Sequence, residues 1–94
     1  MEKYKEGWQG FLELCLATEN PKKLSTLFDL MLTPEEKENL AMRYLIVQEL
    51  LSQKKTQRDI AADLHVSIAK ITRGSNEIKR MDAEFIEYLK KLLY

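Results

Sequence analysis

The sequence predicts an all-α protein of six helices, and three observations support this fold class. Leu, Glu, Lys and Ala dominate the chain, and β-branched runs are absent, which favours helix over strand. Two prolines and three glycines leave little room for irregular structure. Apolar residues make up 45% of only 94 residues, and we interpret this excess as a core shared by two copies in a homodimer. Residues 1–94 are predicted to form a single domain.

The first three predicted helices cover residues 1–17, 23–32 and 34–52. The first carries an apolar stripe at helical spacing, expected to pack in the core or between protomers: Tyr4, Trp8, Phe11, Leu12, Cys15 and Leu16. Asn20-Pro21 is expected to end this helix. Thr33 and Glu36 predict a capping box at the start of the third helix. That helix is apolar almost all round, which in so small a domain indicates burial against a partner chain.

Residues 57–80 predict a helix-turn-helix, with Thr56 and Ser67 as the N-caps of its two helices. Ala61 supplies the small side chain that two steeply crossing helices need where they touch. The turn holds His65, a residue type that tolerates a positive φ better than most. An ordinary αα-hairpin would show similar apolar spacing, so the spacing alone does not establish DNA binding.

The charge of the helix-turn-helix is compatible with a nucleic-acid partner. Residues 57–80 contain five basic and three acidic residues, a local charge of +2 in a chain of net charge 0. A helix that presents basic and short polar groups outward can enter a major groove and contact phosphates, although an ordinary solvated face has the same composition. A last helix is predicted at residues 83–94, with Asp82 as its cap.

Several classes of function are not favoured. The single cysteine, Cys15, forms no internal disulfide and indicates a reducing compartment, the cytoplasm. One His and one Cys fifty residues apart provide neither a metal site nor a catalytic set, so no enzyme is predicted. An apolar run of about 18 residues is missing, so no membrane span is predicted. Arg43 interrupts the apolar third helix, and it either reaches the surface, pairs with an internal carboxylate or faces an anionic or aromatic ligand.

Several segments resemble the bacterial tryptophan repressor family. They are LMLTPEE at residues 30–36, Arg43, IVQELL at 46–51, TQR at 56–58 and IAKITRGSN at 68–76. The match runs from Trp8 to the C-terminus without a needed gap, and ITRGSN is highly specific to the family. The resemblance implies an intertwined homodimer with a helix-turn-helix head. It also implies a transcriptional repressor, activated by L-tryptophan as corepressor, that binds operators of tryptophan metabolism or transport genes.

The resemblance implies seven tryptophan-binding residues: Leu30, Leu32, Thr33, Arg43, Arg73, Gly74 and Glu77. The indole is expected between Arg43 and Arg73, because arginine stacks on aromatic faces. Arg73, helped by Thr33, is expected to hold the carboxylate. The amino group is expected to meet backbone carbonyls at the end of the second helix, and Gly74 to leave room beside the ring. Glu77 stands where better-known members carry Ser, and its carboxylate would attract the ligand ammonium or repel the ligand carboxylate.

The resemblance also implies contacts with a double-stranded DNA operator. Six contacts follow from the resemblance, namely Gln57, Arg58, Ile68, Ala69, Lys70 and Thr72, and the basic residues Arg73 and Lys79 of the second helix are predicted to join them. Arg58 is the candidate for a guanine contact, because its fork can reach O6 and N7 together. Two-fold symmetry predicts a palindromic operator with half-sites about one helical turn, or a multiple, apart. Two alternatives stay open: a regulator of the same family with another ligand or none, and a helical protein-interaction module.

Overall fold

The computed structural model describes residues 2–94, which form six α-helices and no strand. The helices are α1 (Glu2–Ala17), α2 (Pro21–Met31), α3 (Pro34–Ser52), α4 (Gln57–Leu64), α5 (Ile68–Arg80) and α6 (Ala83–Leu93). The predicted all-α class is therefore confirmed, whereas the homodimer and the single domain stay predictions. The chain divides into two compact units, the first ending at Lys37 and the second running from Glu38 to Tyr94.

The start of α2 differs from the prediction. Asn20 is the N-cap of α2, and its side-chain oxygen accepts the N–H groups of Lys22 and Lys23 at 2.8 and 3.1 Å. Pro21 occupies the first helical position, where its missing N–H has no cost. The Asn-Pro pair was interpreted only as the end of α1, although the same pair is also a strong helix start.

In the first unit, α1 and α2 meet through aromatic rings. The ring centroid of Phe11 lies 6.0 Å from that of Phe28 and 5.8 Å from that of Trp8. Asp29 of α2 pairs with Lys37 at the start of α3. Neither α1 nor α2 contains a buried residue. The apolar stripe of α1 therefore stays largely exposed within one chain, which is unusual for a stable helix pair.

The core of the second unit lies where α3, α4 and α5 meet. Ile60 of α4 and Ile71 of α5 are fully buried, and they pack with Ile46 of α3 and Ala61 of α4. The small Ala61 side chain lies in this cluster, as its predicted role requires. Burial of two complete Ile side chains makes this junction the main apolar contact of the unit.

The turn between α4 and α5 has the predicted conformation. His65 takes φ 56° and ψ 45°, the left-handed region, and its N–H and that of Val66 donate to carbonyls of α4. The side chains of Thr56 and Ser67 cap the two helices by accepting the N–H three residues on, at 3.1 and 3.3 Å. Caps at both starts fix which residues lie in the first turns of α4 and α5.

Lys55 connects α3 and α4 across the loop between them. Its Nζ lies 2.7 Å from Oδ2 of Asp63 and 3.2 Å from Oε2 of Glu49. The hydrogen bond that Lys55 donates to Asp63, and to a smaller extent the one that it donates to Glu49, raise the pKa of Lys55 above its ordinary value. The two ion pairs link α4 to the end of α3.

Candidate functional site

A cleft of about 660 Å³ opens among α3, α5 and α6 in the second unit. Four of the seven predicted tryptophan-binding residues line it: Arg43 from α3, and Arg73, Gly74 and Glu77 from α5. Much of the remaining wall is apolar and comes from α3 and α6, through Met42, Ile46, Val47, Phe85, Ile86 and Leu89. A mostly apolar cleft of this volume with a few charged groups is typical of a small-molecule site.

The other three residues of the predicted set lie in the first unit. Leu32 is the C-cap of α2, and its N–H donates to the carbonyl of Phe28 at 2.8 Å. Thr33 forms the predicted capping box: its Oγ1 accepts the N–H of Glu36 at 3.1 Å, and its own N–H donates to Oε1 of Glu36 at 2.8 Å. The side chain of Leu30 is 79% exposed. The contacts of these three residues with a ligand stay predictions.

The cleft carries charges of both signs. Arg43, Lys70 and Arg73 contribute cations, and Glu77 contributes a carboxylate. Among residues 2–94, neither arginine forms an ion pair, whereas Oε1 of Glu77 accepts a hydrogen bond from Nη1 of Arg80 at 2.8 Å. The internal carboxylate partner considered for Arg43 is thus not formed within the described chain. Both guanidinium groups are available to a planar or anionic ligand.

Gly74 lies where α5 packs against α3. A Cβ at this position would lie 3.0 Å from Cγ2 of Ile46 and 3.4 Å from Cδ1 of Leu50. The missing side chain therefore lets the two helices approach each other closely at this point. The further role predicted for Gly74, room beside a ligand ring, stays a prediction.

Gly74→Ala should destabilise the protein by about 1 kcal/mol, although alanine normally favours a helix over glycine by about 0.5–1 kcal/mol. Ile46 is buried and its branched side chain has one preferred rotamer, so overpacking costs about 1–3 kcal/mol. Urea unfolding measures the difference. Gly10→Ala in α1 is the control, because a Cβ at this position would meet nothing within 4 Å. The control substitution should therefore stabilise the protein through the higher helix propensity of alanine. Equal stabilisation by both substitutions would contradict the close contact at Gly74.

The eight predicted DNA contacts all lie in α4 and α5. Gln57 and Arg58 begin α4, and the others lie on α5: Ile68, Ala69, Lys70, Thr72, Arg73 and Lys79. Seven of the eight are exposed, and Gln57 is half-buried. Oγ1 of Thr72 donates to Oε1 of Gln57 at 3.1 Å, which joins the two helices at their outer surface.

Lys70 is one of the predicted DNA contacts and also lines the cleft, and this second position was not predicted from the sequence. It was assigned to the DNA contacts alone, yet it also lines the cleft together with Arg73. The spacing contained the signal, because residues three apart share one face of a helix. The contribution of α6 to the cleft was missed as well, since no ligand contact was predicted for that helix.

Comparison with known proteins identifies the family. The profile of the family described as Trp repressor protein matches residues 6–93. The chain belongs to the Trp repressor family. It is a transcriptional regulator of that family, as the motifs predicted, and such repressors are not a class of enzyme.

Three relatives of the Trp repressor family show how far the similarity extends. The chain is 50% identical over 91 residues to the Trp operon repressor homolog of Chlamydia caviae, which covers 97% of this chain and 90% of that protein. The homolog of Chlamydia trachomatis serovar D is 48% identical over 85 residues, 90% of each chain. That of Mannheimia succiniciproducens is 42% identical over 86 residues, 92% of this chain and 85% of that protein.

Across the described chain, each helix is too short or too polar to cross a bilayer. Residues 2–94 also contain no group of three or more His, Cys, Asp or Glu side chains that could hold a metal ion.

Proposed function

We propose that this regulator is a cytoplasmic homodimer that binds palindromic operators of tryptophan metabolism or transport genes when L-tryptophan occupies the cleft. L-tryptophan would act as a corepressor, and the protein would bind its ligand without catalysing a reaction. The names of the relatives, each a Trp operon repressor homolog, support the choice of ligand and of target.

The observation that carries the proposal is that α5 contributes both to the wall of the cleft and to the surface of predicted DNA contacts. Arg73 and Gly74 line the cleft, whereas Ile68 and Thr72 stand on another side of the same helix, since successive residues are rotated by about 100°. A ligand held between α3 and α5 restricts the position of α5. It therefore also restricts the side chains that would face DNA, and it shifts the population toward the arrangement that binds the ligand better.

The ligand contacts are assigned as follows. The indole ring lies between the guanidinium groups of Arg43 and Arg73, which both line the cleft and have no carboxylate partner in the described chain. Arg73 also binds the ligand carboxylate. The assistance of Thr33, and the contacts of the amino group with the carbonyls of Leu30 and Leu32, rest on the resemblance alone.

The exposed apolar side chains support the homodimer. α1 and α2 bury no residue in the single chain. Large apolar side chains at least half exposed occur on α1, α2, α3 and α6: Tyr4, Trp8, Leu16, Leu30, Leu40, Tyr44, Tyr88 and Leu92. So much apolar surface on a small chain indicates a second protein surface that covers it, and a symmetric second copy is the commonest partner.

The DNA contacts divide by chemistry. Arg58 provides a fork for guanine, and the exposed apolar groups of Ile68 and Ala69 suit a thymine methyl group. Lys70 and Lys79 suit phosphates, whose contribution depends on salt. The remaining predicted contacts, among them the hydrogen-bonded pair Gln57 and Thr72, would position the head on the duplex.

Calorimetric titration of L-tryptophan tests the proposal. The wild-type protein should bind about one ligand per chain, and Arg43→Ala should bind at least about tenfold more weakly, because a desolvated cation–π contact is lost. Arg58→Ala is the control: it should bind L-tryptophan normally yet lose affinity for operator DNA. A folded dimer that binds DNA but no L-tryptophan would favour the alternative regulator. No DNA affinity at all would favour the interaction module.

A further inference from the structure

We propose that Lys55 is a positioning residue of the helix-turn-helix, and that its two ion pairs hold α4 in the orientation relative to α3 from which the protein contacts DNA. This inference rests on the proposed function and adds a residue that lies outside the eight predicted DNA contacts. The three residues concerned, Glu49, Lys55 and Asp63, are called the Lys55 network below, and none of them lines the cleft.

The Lys55 network connects three segments of the chain. Glu49 belongs to the last turn of α3, Asp63 to the last turn of α4, and Lys55 to the loop between these helices. Nζ of Lys55 lies 2.7 Å from Oδ2 of Asp63 and 3.2 Å from Oε2 of Glu49. The ion pairs of residues 2–94 include no other link between α3 and α4. One lysine side chain therefore provides the whole charged connection between the two helices.

This connection matters for α4 because the other contacts of that helix with α3 are apolar. The helix has only eight residues, and it packs in the core of the second unit through Ile60 and Ala61. Apolar contact is non-directional, so a short helix can tilt on such a core at little cost. Arg58 lies in the first turn of α4 and Asp63 in its last turn. The restraint that Lys55 places on Asp63 therefore limits a tilt of α4 that would move Arg58 relative to DNA.

The charge of Lys55 is engaged within the protein and is therefore less suited to a direct phosphate contact. An ammonium has three N–H donors, and here two carboxylates compete for them. Without Lys55, the carboxylates of Glu49 and Asp63 would repel each other and favour separation of α4 from α3. The neighbouring Lys54 is exposed and forms no ion pair within the described chain. Exposed pairs are weak singly, but a lysine shared by two carboxylates forms a small network, so an effect of a few-fold is expected.

The test measures DNA affinity by fluorescence anisotropy, with saturating L-tryptophan. The probe is a labelled palindromic duplex that the wild-type protein has selected from random-sequence DNA. Lys55→Gln should weaken binding about two- to fivefold. Glu49→Gln should weaken it as well, although the loss of a negative charge would by itself strengthen binding to DNA. The double variant should bind no more weakly than Lys55→Gln, because both substitutions break the same connection.

Two further variants separate position from charge. Lys55→Arg keeps a cation that can reach both carboxylates, so it should bind the duplex nearly as well as the wild-type protein. Lys54→Gln is the matched control, because it removes the same charge from the adjacent residue. Its effect, whatever its size, should add to that of Glu49→Gln, since Lys54 forms no pair with Glu49. Urea unfolding of each variant shows whether a change in stability accompanies the change in affinity.

The outcomes separate the two proposals. Equal or tighter binding by Glu49→Gln, or additive effects of Lys55→Gln and Glu49→Gln, overturns the positioning role and leaves the proposed function standing. A slope of log affinity against log salt that falls by about one in Lys55→Gln also overturns it, because that change identifies a direct phosphate contact. Failure of the wild-type protein to select any duplex overturns the proposed function and this inference with it. Weakening by both substitutions without additivity supports the positioning role.

Discussion

Arg73→Ala should lower the affinity for L-tryptophan about a hundredfold and remove the effect of L-tryptophan on operator binding. The substitution would remove the proposed stacking contact with the indole and the proposed charge-assisted hydrogen bonds to the ligand carboxylate. Together these are worth about 3 kcal/mol, which corresponds to about a hundredfold in affinity. Calorimetry measures the first effect, and fluorescence anisotropy with a labelled operator, at several ligand concentrations, measures the second.

Arg73→Lys separates charge from geometry at the same position. Lysine keeps the positive charge near the DNA phosphates, but it has neither the planar face nor the two-pronged donor group of arginine. We therefore expect this variant to keep most of the salt-dependent DNA affinity and to lose most of the L-tryptophan affinity. Wild-type affinity for L-tryptophan in Arg73→Ala would show that the ligand does not use the cleft wall formed by α5.

The local features of the fold were predictable because each depends on a few adjacent residues. Thr33 and Glu36 form both hydrogen bonds of the capping box, since the motif brings the two groups together as soon as the helix starts. His65 has the positive φ expected of the turn. The start of α2 was placed two residues too late because the pair Asn20-Pro21 was interpreted only as the end of α1. The same pair of residues can end one helix or begin the next, and a short-range pattern does not distinguish these two roles.

The features that periodicity did not predict depend on how helices cross. Apolar spacing places Phe85 and Leu89 on one face of α6. It does not show which helices that face meets, or that a cleft is left among α3, α5 and α6. The packing at Gly74 was also not predicted. The resemblance implied that Gly74 leaves room for a ligand ring, and the structure shows in addition that a Cβ there would meet the side chains of Ile46 and Leu50 on α3. The crossing of α3 and α5 decides both features, and a single sequence contains no direct signal for it.

Ile71→Ala should destabilise the second unit by about 2–5 kcal/mol, a large part of the total stability of a small domain. The side chain is fully buried against Ile46 of α3 and against Ile60 and Ala61 of α4, so a cavity there would be held open by three packed helices and has little chance to collapse. Ile71→Val should cost only about 0.5–1.5 kcal/mol. Urea unfolding at a fixed protein concentration is the appropriate measurement, because the stability of the proposed homodimer would depend on protein concentration.

Ile68→Ala makes the same chemical change on the same helix, three residues earlier, and should have the opposite pattern of effects. Ile68 is 45% exposed, so its loss should change stability by less than about 1 kcal/mol. It should instead weaken operator binding about three- to tenfold, because an apolar contact with a thymine methyl group is lost. Comparable destabilisation by both variants would mean that α5 is rotated relative to the structure. The two effects, measured together, therefore distinguish the buried position of α5 that holds the three helices together from its exposed first residue, which is proposed to contact DNA.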